Sequence, residues 1–183
     1  TLKKLGPTWI KLGQFLSTRP DIIGLELSDK LKNLQDKVEP FPKSKTIEIL
    51  KNEFKEGYLD TFIDIMPSKT AASIAQVHKG TVKLNNKEYD VAIKILRPNI
   101  EREIKKDLRK FFIAASLLEK LSKEAKRLRL TEVVQTLAES LSMEIDLRLE
   151  AAAQSEIKDN IINDEYFDVP NIYWDLTRKN ILI

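Results

Sequence analysis

A lysine lies in the middle of a hydrophobic segment that resembles a β-strand. Val91, Ile93 and Ile95 alternate along this segment, so the side chain of Lys94 is predicted to face the other way. Burying a lysine is costly unless a carboxylate pairs with it. The segment is therefore either a half-exposed strand whose lysine reaches solvent, or a strand whose lysine holds the phosphates of a nucleotide, as in phosphoryl-transfer enzymes.

A loop of small residues precedes Lys94 by one predicted hairpin. Its residues are Thr70, Ala71, Ala72 and Ser73. Small side chains let backbone amides approach a phosphate closely, although alanine adopts a positive φ less readily than glycine. Taken alone, the loop is better explained as a tight packing turn.

Three carboxylates lie close together in a segment that is predicted to be one helix over residues 131–160. On such a helix Asp146 and Glu150 share a side, which destabilises the helix unless a cation lies between them. Glu144 points about 200° away from Asp146 and is predicted to pair with Arg148. The alternative is an ordinary solvated face.

A glycine interrupts the first predicted helix. Lys11 and Gln14 flank Gly13 and face away from the apolar stripe of this helix. A helical glycine costs ~1 kcal/mol relative to alanine, so we expect a partner to pack closely there. His78 is the only histidine and cysteine is absent, so we predict a structural role for His78 and no metal site of the Cys/His type.

The order of the predicted elements defines an α+β fold. Helices come first, followed by strands over residues 61–66, 74–84 and 89–96, then by long helices and a strand-like tail. Asn85-Asn86 is a typical hairpin turn between two of the strands. We predict two domains, an N-terminal helical extension over residues 1–60 and a second domain over residues 61–183.

The composition narrows the class of protein. The 183 residues are 42% hydrophobic, and 31 basic side chains nearly balance 28 acidic ones. These values indicate a soluble globular chain, and the interspersed charges give no argument for a nucleic-acid partner. No apolar run reaches the ~18 residues of a membrane helix, and no signal peptide opens the chain. We predict a cytoplasmic protein, with association at the inner membrane left open.

Together the motifs resemble those of the AarF/UbiB family of atypical kinases, a branch of the protein-kinase-like fold. The resemblance covers nearly the whole chain, from Leu5 to about Leu182. It rests on four ordered segments, namely a K-x-G-Q motif at residues 11–14, an alanine-rich loop at 71–78, a nucleotide lysine segment at 91–98 and an E-x-D motif at 144–146. Thr70 departs from the family pattern, where an alanine is expected.

The resemblance implies a kinase-like N-lobe with a helical extension, which binds an adenine nucleotide with magnesium. It implies that Lys94 contacts the phosphates and pairs with Glu144, while the helix of Lys11 and Gln14 meets Asp146 and Glu150. Breaking a buried Lys94–Glu144 pair would cost roughly 3–5 kcal/mol. The family's alanine-rich loop, here Ala71, Ala72 and Ser73, is expected to restrain protein-kinase activity. Family members support ubiquinone biosynthesis or related lipid metabolism at membranes.

The catalytic half of a kinase is not recognisable in the sequence. A kinase needs a catalytic-loop aspartate, an asparagine and a second metal-binding aspartate, which lie in the C-lobe. We therefore predict that the C-lobe is absent and that the chain is an N-terminal fragment of an ATP-dependent kinase or ATPase. Its expected partners are ATP or ADP, the missing C-lobe, and ubiquinone-pathway proteins or lipids at a membrane surface. A catalytically inactive partner-binding module and a helical lipid-binding accessory protein remain as alternatives.

Overall fold

The computed structural model describes residues 5–34, 38–68 and 71–183, so Thr70 of the alanine-rich loop lies outside the described residues. The chain forms two compact units that interleave along the sequence. The first unit comprises Thr1–Val38 with Asn99–Met143, and the second comprises Glu39–Pro98 with Glu144–Ile183. The division predicted from the sequence, into residues 1–60 and 61–183, stays a prediction.

The secondary structure is helical at the start, forms a sheet in the middle and returns to helices. The helices are α1 (Pro7–Ser17), α2 (Pro20–Ile23), α3 (Leu25–Lys32), α4 (Lys43–Phe54), α5 (Tyr58–Thr61), α6 (Ile100–Leu121), α7 (Lys123–Leu128), α8 (Leu130–Glu144) and α9 (Leu147–Asn160). The strands are β1 (Phe62–Ile65), β2 (Ala75–Leu84), β3 (Lys87–Leu96) and β4 (Ile181–Leu182). None of the helices in the described segments has the length and apolarity needed to cross a membrane.

The second unit contains a four-stranded sheet in the order β1-β2-β3-β4, and each strand is antiparallel to its neighbour. The β2–β3 hairpin turns at Asn85 and Asn86, whose φ angles are 49° and 62°. Two successive positive φ values are typical of the tight hairpin turn that asparagine favours, so the predicted turn is confirmed. A small antiparallel sheet accompanied by helices confirms the predicted α+β fold of a kinase-like N-lobe with a helical extension.

One face of this sheet forms the core of the second unit. Val82, Val91, Ile93 and Ile95 are buried on it, as the alternating pattern predicted. They pack with Leu50 of α4 and with other buried side chains of the unit, which are Tyr58, Phe62, Ile65, Leu176, Ile181 and Ile183. The alternate residues Val77, Ala92 and Lys94 lie on the opposite, more open face. The tail, predicted to hold one or two strands, contributes only the short β4.

The first unit is held together by contacts between α1, α3 and α6. The rings of Trp9 and Phe111 meet edge to face, with their centroids 4.7 Å apart. The buried Ser28 Oγ donates a hydrogen bond to the carbonyl of Ser17 over 2.6 Å, which ties α3 to the end of α1. Buried Ile104, Phe111 and Ala115 define the inner face of α6.

Both long helices predicted from the apolar periodicity are broken. Ser122 ends α6 and accepts a hydrogen bond from the amide of Ala125, so it caps α7. Asp146 likewise caps α9 by accepting a hydrogen bond from the amide of Arg148. Serine and aspartate compete with the helix for backbone amides, and this competition favours a cap over a continuous helix.

The single histidine belongs to a buried hydrogen-bond network in the second unit. His78 Nδ1 donates to the carbonyl of Met66 over 2.8 Å, since a carbonyl can only accept. The other ring nitrogen then accepts from Gln76 Nε2 at 2.8 Å, and Thr46 Oγ1 lies 2.9 Å from the same nitrogen, whose single lone pair the two groups share. Gln76 also bonds both backbone groups of Phe41. The network joins α4 and residue 41 to β2, which agrees with the predicted structural role.

We expect the fold to become less stable in mild acid, because the folded state favours the neutral form of His78. Burial lowers the pKa of His78 below its ordinary value of 6.5. The contribution of neutral His78 to the stability of the fold is therefore fully present above the pKa of the unfolded state. It is lost as the pH falls from about 6.5 towards the pKa of His78 in the folded state. Urea unfolding between about pH 5.5 and 7.5 should show this loss, because aspartate and glutamate titrate mainly below that range.

His78→Gln serves as the comparison for this pH dependence. Glutamine can still hydrogen-bond but does not titrate, so the variant should be less stable at neutral pH by about 1–3 kcal/mol and should lose most of the slope. An identical slope in the unmodified chain and the variant would contradict this assignment.

Candidate functional site

The lysine singled out from the sequence is held by a carboxylate on the open face of the sheet. Lys94 Nζ donates to both carboxylate oxygens of Glu150, over 2.6 Å and 2.7 Å. Lys94 lies on β3 and Glu150 on α9, within the same unit. The side chains are 31% and 38% exposed. The lysine is therefore both paired with a carboxylate and accessible to solvent. This combines the half-exposed strand and the paired lysine that the sequence left as alternatives.

Lys94 contacts Glu150, whereas the family resemblance implies a pair with Glu144. The single helix predicted over residues 131–160 is also divided, since α8 ends at Glu144 and α9 begins at Leu147. The amide of Leu147 donates to the carbonyl of Lys179 over 2.9 Å, and Leu147 and Ala151 are buried. These contacts set the rotation of α9, so Glu150 points towards Lys94.

The exposure of this ion pair also corrects its expected energy. We estimated roughly 3–5 kcal/mol for breaking a buried pair. A pair whose side chains are about one third exposed is screened by water, and its contribution to folding falls to at most about 1 kcal/mol. The short contact therefore matters more for positioning the lysine than for stability.

Asp146 has a cation of its own. Arg148 Nε donates to Oδ1 over 2.9 Å, and its Nη2 donates to Oδ2 over 2.6 Å. These hydrogen bonds lower the pKa of the Asp146 carboxyl below its ordinary value. Arg148 was expected to pair with Glu144, and Asp146 and Glu150 were expected to share one cation. In the structure Arg148 and Lys94 serve these two carboxylates separately.

The alanine-rich loop forms a tight turn that leads into β2. Ala71 pairs with Gln76 across the turn, and the amide of Ala72 donates to the carbonyl of Ala75 over 2.9 Å. Ala71 and Ser73 are buried, whereas Ala72 is exposed. This geometry agrees with the packing-turn interpretation and leaves the phosphate-binding role of the loop a prediction.

Arg97 fastens this turn, and the sequence analysis did not assign it a role. Its guanidinium donates to the carbonyl of Ala72 from Nε at 3.3 Å and Nη2 at 3.1 Å. Nη2 also donates to the carbonyl of Glu39 over 2.9 Å, and the amide of Arg97 donates to the carbonyl of Ile74 over 2.8 Å. In the sequence, only the Arg97-Pro98 pair at the end of the strand could have indicated a role for this arginine.

A cavity of about 490 Å³ opens beside the ion pair. Val77, Ala92 and Lys94 line it from the sheet, and Glu150 lines it from α9. The tail contributes a large part of the remaining wall, including Asn171, Ile172, Tyr173, Leu182 and Ile183. The sequence analysis missed these tail residues, because only the folded chain brings residues 171–183 beside β3. Ala71, Ala72 and Ser73 are not among the lining residues.

The remaining predicted site residues belong to the first unit. Lys11, Gly13 and Gln14 all lie on α1, where Gly13 is buried, as expected for a glycine with close neighbours. The predicted approach of Lys11 and Gln14 to Asp146 and Glu150 stays a prediction. Its original motive, a carboxylate pair without cations, is removed by the contacts of Arg148 and Lys94.

Comparison with known proteins gives a consistent family assignment. Residues 33–183 match the model of the ABC1 atypical kinase-like domain. The chain is 39% identical over its whole length to a probable protein kinase UbiB from Marinobacter nauticus, and 42% identical to one from Actinobacillus pleuropneumoniae. A protein of the same name from Pseudomonas putida is 36% identical. The chain spans about a third of the length of each of these relatives.

The kinase-like N-lobe, the lysine–glutamate contact and this match define an atypical kinase-like protein. The chain belongs to the AarF/UbiB family of atypical kinase-like proteins.

Proposed function

We propose that the chain is the nucleotide-binding part of an atypical kinase or ATPase of the UbiB type. The contact between Lys94 and Glu150 carries this proposal. In protein kinases, an ion pair between a strand lysine and a helix glutamate must be in place for phosphoryl transfer, and here a lysine of a strand contacts a glutamate of a helix. Protein kinases bind nucleotide beside their lysine–glutamate pair. This supports the cavity beside Lys94 and Glu150 as the nucleotide site.

The residues around the cavity suit an adenine nucleotide. Val77 and Ala92 offer apolar surface on the open face of the sheet, where a flat base could lie. Lys94 adds a cation at one third exposure, accessible to the phosphates of ATP or ADP. Glu150 holds the ammonium group in place, so that the lysine is oriented before the nucleotide arrives.

Magnesium is the metal expected with the nucleotide, and it would neutralise the phosphate charge during transfer. The described residues contain no group of three or more carboxylate or imidazole side chains that could hold a metal ion. We propose that the magnesium ligands of a protein of the relatives' full length come from a kinase C-lobe, which carries them in protein kinases.

The proposal also covers the metabolic pathway in which the protein acts and the partners it meets there. The relatives carry the name UbiB, and this supports a role in ubiquinone biosynthesis or related lipid metabolism. Other proteins or lipids of that pathway are the proposed partners. We further propose, from the family resemblance, that the helix of Lys11 and Gln14 meets Asp146 and Glu150.

We expect the 183-residue chain to bind MgATP weakly and to show no turnover. Lys94 and the cavity contact the nucleotide from one side, so a protein of the relatives' full length should bind more tightly and hydrolyse ATP. Calorimetric titration with ATP and ADP measures binding, and phosphate release measures turnover. Lys94→Met should abolish the residual binding, whereas Lys79→Met, an exposed lysine of β2, should leave it unchanged.

Two outcomes would change the proposal. Turnover by the 183-residue chain that depends on Lys94 would show that the described residues suffice for catalysis. Failure of the longer protein to bind nucleotide would favour the alternative of a regulatory or partner-binding module.

A further inference from the structure

The segment Glu39-Pro40-Phe41, named here the strap, is bonded to the neighbouring ends of β2 and β3. Gln76 Oε1 accepts from the amide of Phe41 over 2.9 Å, and Gln76 Nε2 donates to the carbonyl of Phe41 over 3.2 Å. Arg97 Nη2 donates to the carbonyl of Glu39 over 2.9 Å. The Arg97 guanidinium also lies over the Phe41 ring, with Cζ 5.9 Å from the centroid, within reach of a cation–π contact. Two side chains therefore hold the strap.

The arginine that binds the strap also binds the alanine-rich loop. The Arg97 guanidinium donates to the carbonyl of Ala72, and the Arg97 amide donates to the carbonyl of Ile74. The Ala72 amide is engaged as well, because it donates to the carbonyl of Ala75 over 2.9 Å. Residues 71–73 line no part of the cavity beside the ion pair. In this conformation the Ala72 amide is not available to a phosphate.

The two fastenings of the strap differ in how easily they open. Gln76 is only 1% exposed and also bonds to His78, so its hold on Phe41 belongs to the buried network of the unit. The side-chain bonds of Arg97 lie at the surface, where water competes for the same donors and acceptors. Loss of Arg97 therefore frees the Ala72 carbonyl, while the strap stays attached at Phe41.

We propose that Arg97 is a positioning residue that keeps the backbone of the alanine-rich loop away from the phosphates of a bound nucleotide, an inference that rests on the proposed function of the cavity beside Lys94. Backbone amides of small residues bind phosphates well, but the held loop uses the Ala72 amide itself. Neither Arg97 nor residues 71–73 line the cavity, so release of the loop can add contacts to the phosphates and can remove none. Nucleotide binding should therefore tighten when Arg97 is replaced.

Arg97→Met in the 183-residue chain tests this role with ligands that differ in their number of phosphates. ADP and ATP should bind about three- to tenfold more tightly than they bind the unmodified chain, because freed amides hydrogen-bond to charged oxygens. Adenosine, which has no phosphate, should bind unchanged. Removal of a positive charge by itself weakens phosphate binding, so tighter binding distinguishes release of the loop from a change of charge. Titration calorimetry with the three ligands measures these affinities.

Arg97→Lys and Arg178→Met serve as comparisons. Lysine keeps the charge but lacks the fork of donors that binds two backbone carbonyls together, so Arg97→Lys should also tighten the binding of ADP. Arg178 has a similar setting in the same unit, since it donates to the carbonyl of Thr177 over 2.9 Å and its Cζ lies 5.3 Å from the centroid of the Phe54 ring. These contacts involve neither the strap nor the loop, so Arg178→Met should leave the binding of ADP and ATP unchanged.

Hydrogen exchange measured by mass spectrometry tests the hold of Arg97 on the loop without any ligand. Peptides that cover residues 71–76 should exchange at least about threefold faster in Arg97→Met than in the unmodified chain, whereas peptides from α4 should not change. Unchanged exchange over residues 71–76 would overturn the proposed role of Arg97. Equal tightening of adenosine and ADP, or weaker binding of ADP to Arg97→Met, would also overturn it. Faster exchange without nucleotide binding by any of these chains would contradict the proposed function while supporting the hold of Arg97 on the loop.

Discussion

Replacing Lys94 by methionine should lower the turnover of a protein of the relatives' full length by on the order of 10²–10³-fold, the usual effect of removing one preorganised charge from a reacting centre. The same change should alter the unfolding free energy of the 183-residue chain by no more than about 1 kcal/mol, because the pair is one third exposed. A large kinetic effect with a small effect on stability is the signature of a side chain that acts on the nucleotide.

The carboxylate that positions Lys94 is identified by a pair of double-mutant cycles. Glu150→Gln and Glu144→Gln each remove one carboxylate charge. The two glutamates are only six residues apart in sequence but lie on different helices. Turnover should show coupling of about 0.5–3 kcal/mol between Lys94 and Glu150, and near additivity between Lys94 and Glu144. Coupling to Glu144 alone would show that the helix segment shifts when the nucleotide is bound and would restore the original assignment.

Gly80→Ala should destabilise the second unit by about 1–3 kcal/mol or more, the range seen when atoms are forced into a packed core. An alanine Cβ at this position would lie 2.7 Å from Ile93 Cδ1 and 2.8 Å from the carbonyl oxygen of Asp64. Gly80 pairs with Ile65 of β1 and Val91 of β3, so a methyl group would push the strands apart. Denaturant unfolding of the 183-residue chain measures the loss.

A second substitution shows which neighbour causes the strain. Ile93→Val removes Cδ1, but the carbonyl of Asp64 belongs to the backbone and cannot move aside cheaply. The double variant should therefore remain destabilised. Gly57→Ala is the matched control, because nothing lies within 4 Å of the added Cβ and φ is −67°. It should be neutral or slightly stabilising. A neutral Gly80→Ala would disprove the close approach of the strands.

The sheet and its lysine could be predicted because they depend on local rules. Alternation of Val91, Ile93 and Ile95 fixes which face is buried, and the Asn85-Asn86 turn fixes the register of the hairpin. Once register and face are known, Lys94 must lie on the opposite face. The structure agrees with each of these steps.

The partner of Lys94 could not be predicted in the same way. Apolar periodicity continues through Asp146, so the pattern does not show that this residue caps a new helix rather than extending the old one. One break changes the direction of every following side chain. In the structure Glu150 contacts Lys94, and Asp146 contacts Arg148. The walls formed by residues 171–183 depend on tertiary contacts that the sequence pattern does not contain.

The interleaving of the two units has a consequence for the order of folding. Lys94 pairs with Leu182 in the sheet, and its carboxylate partner lies 56 residues further along the chain. Contacts that close such long loops form late in folding, because the chain must lose its conformational entropy before the stabilising contacts are made. The β2–β3 hairpin can form from local contacts soon after synthesis. The cavity wall and the oriented lysine form only after residues 171–183 have been made, so the site is completed long after the hairpin.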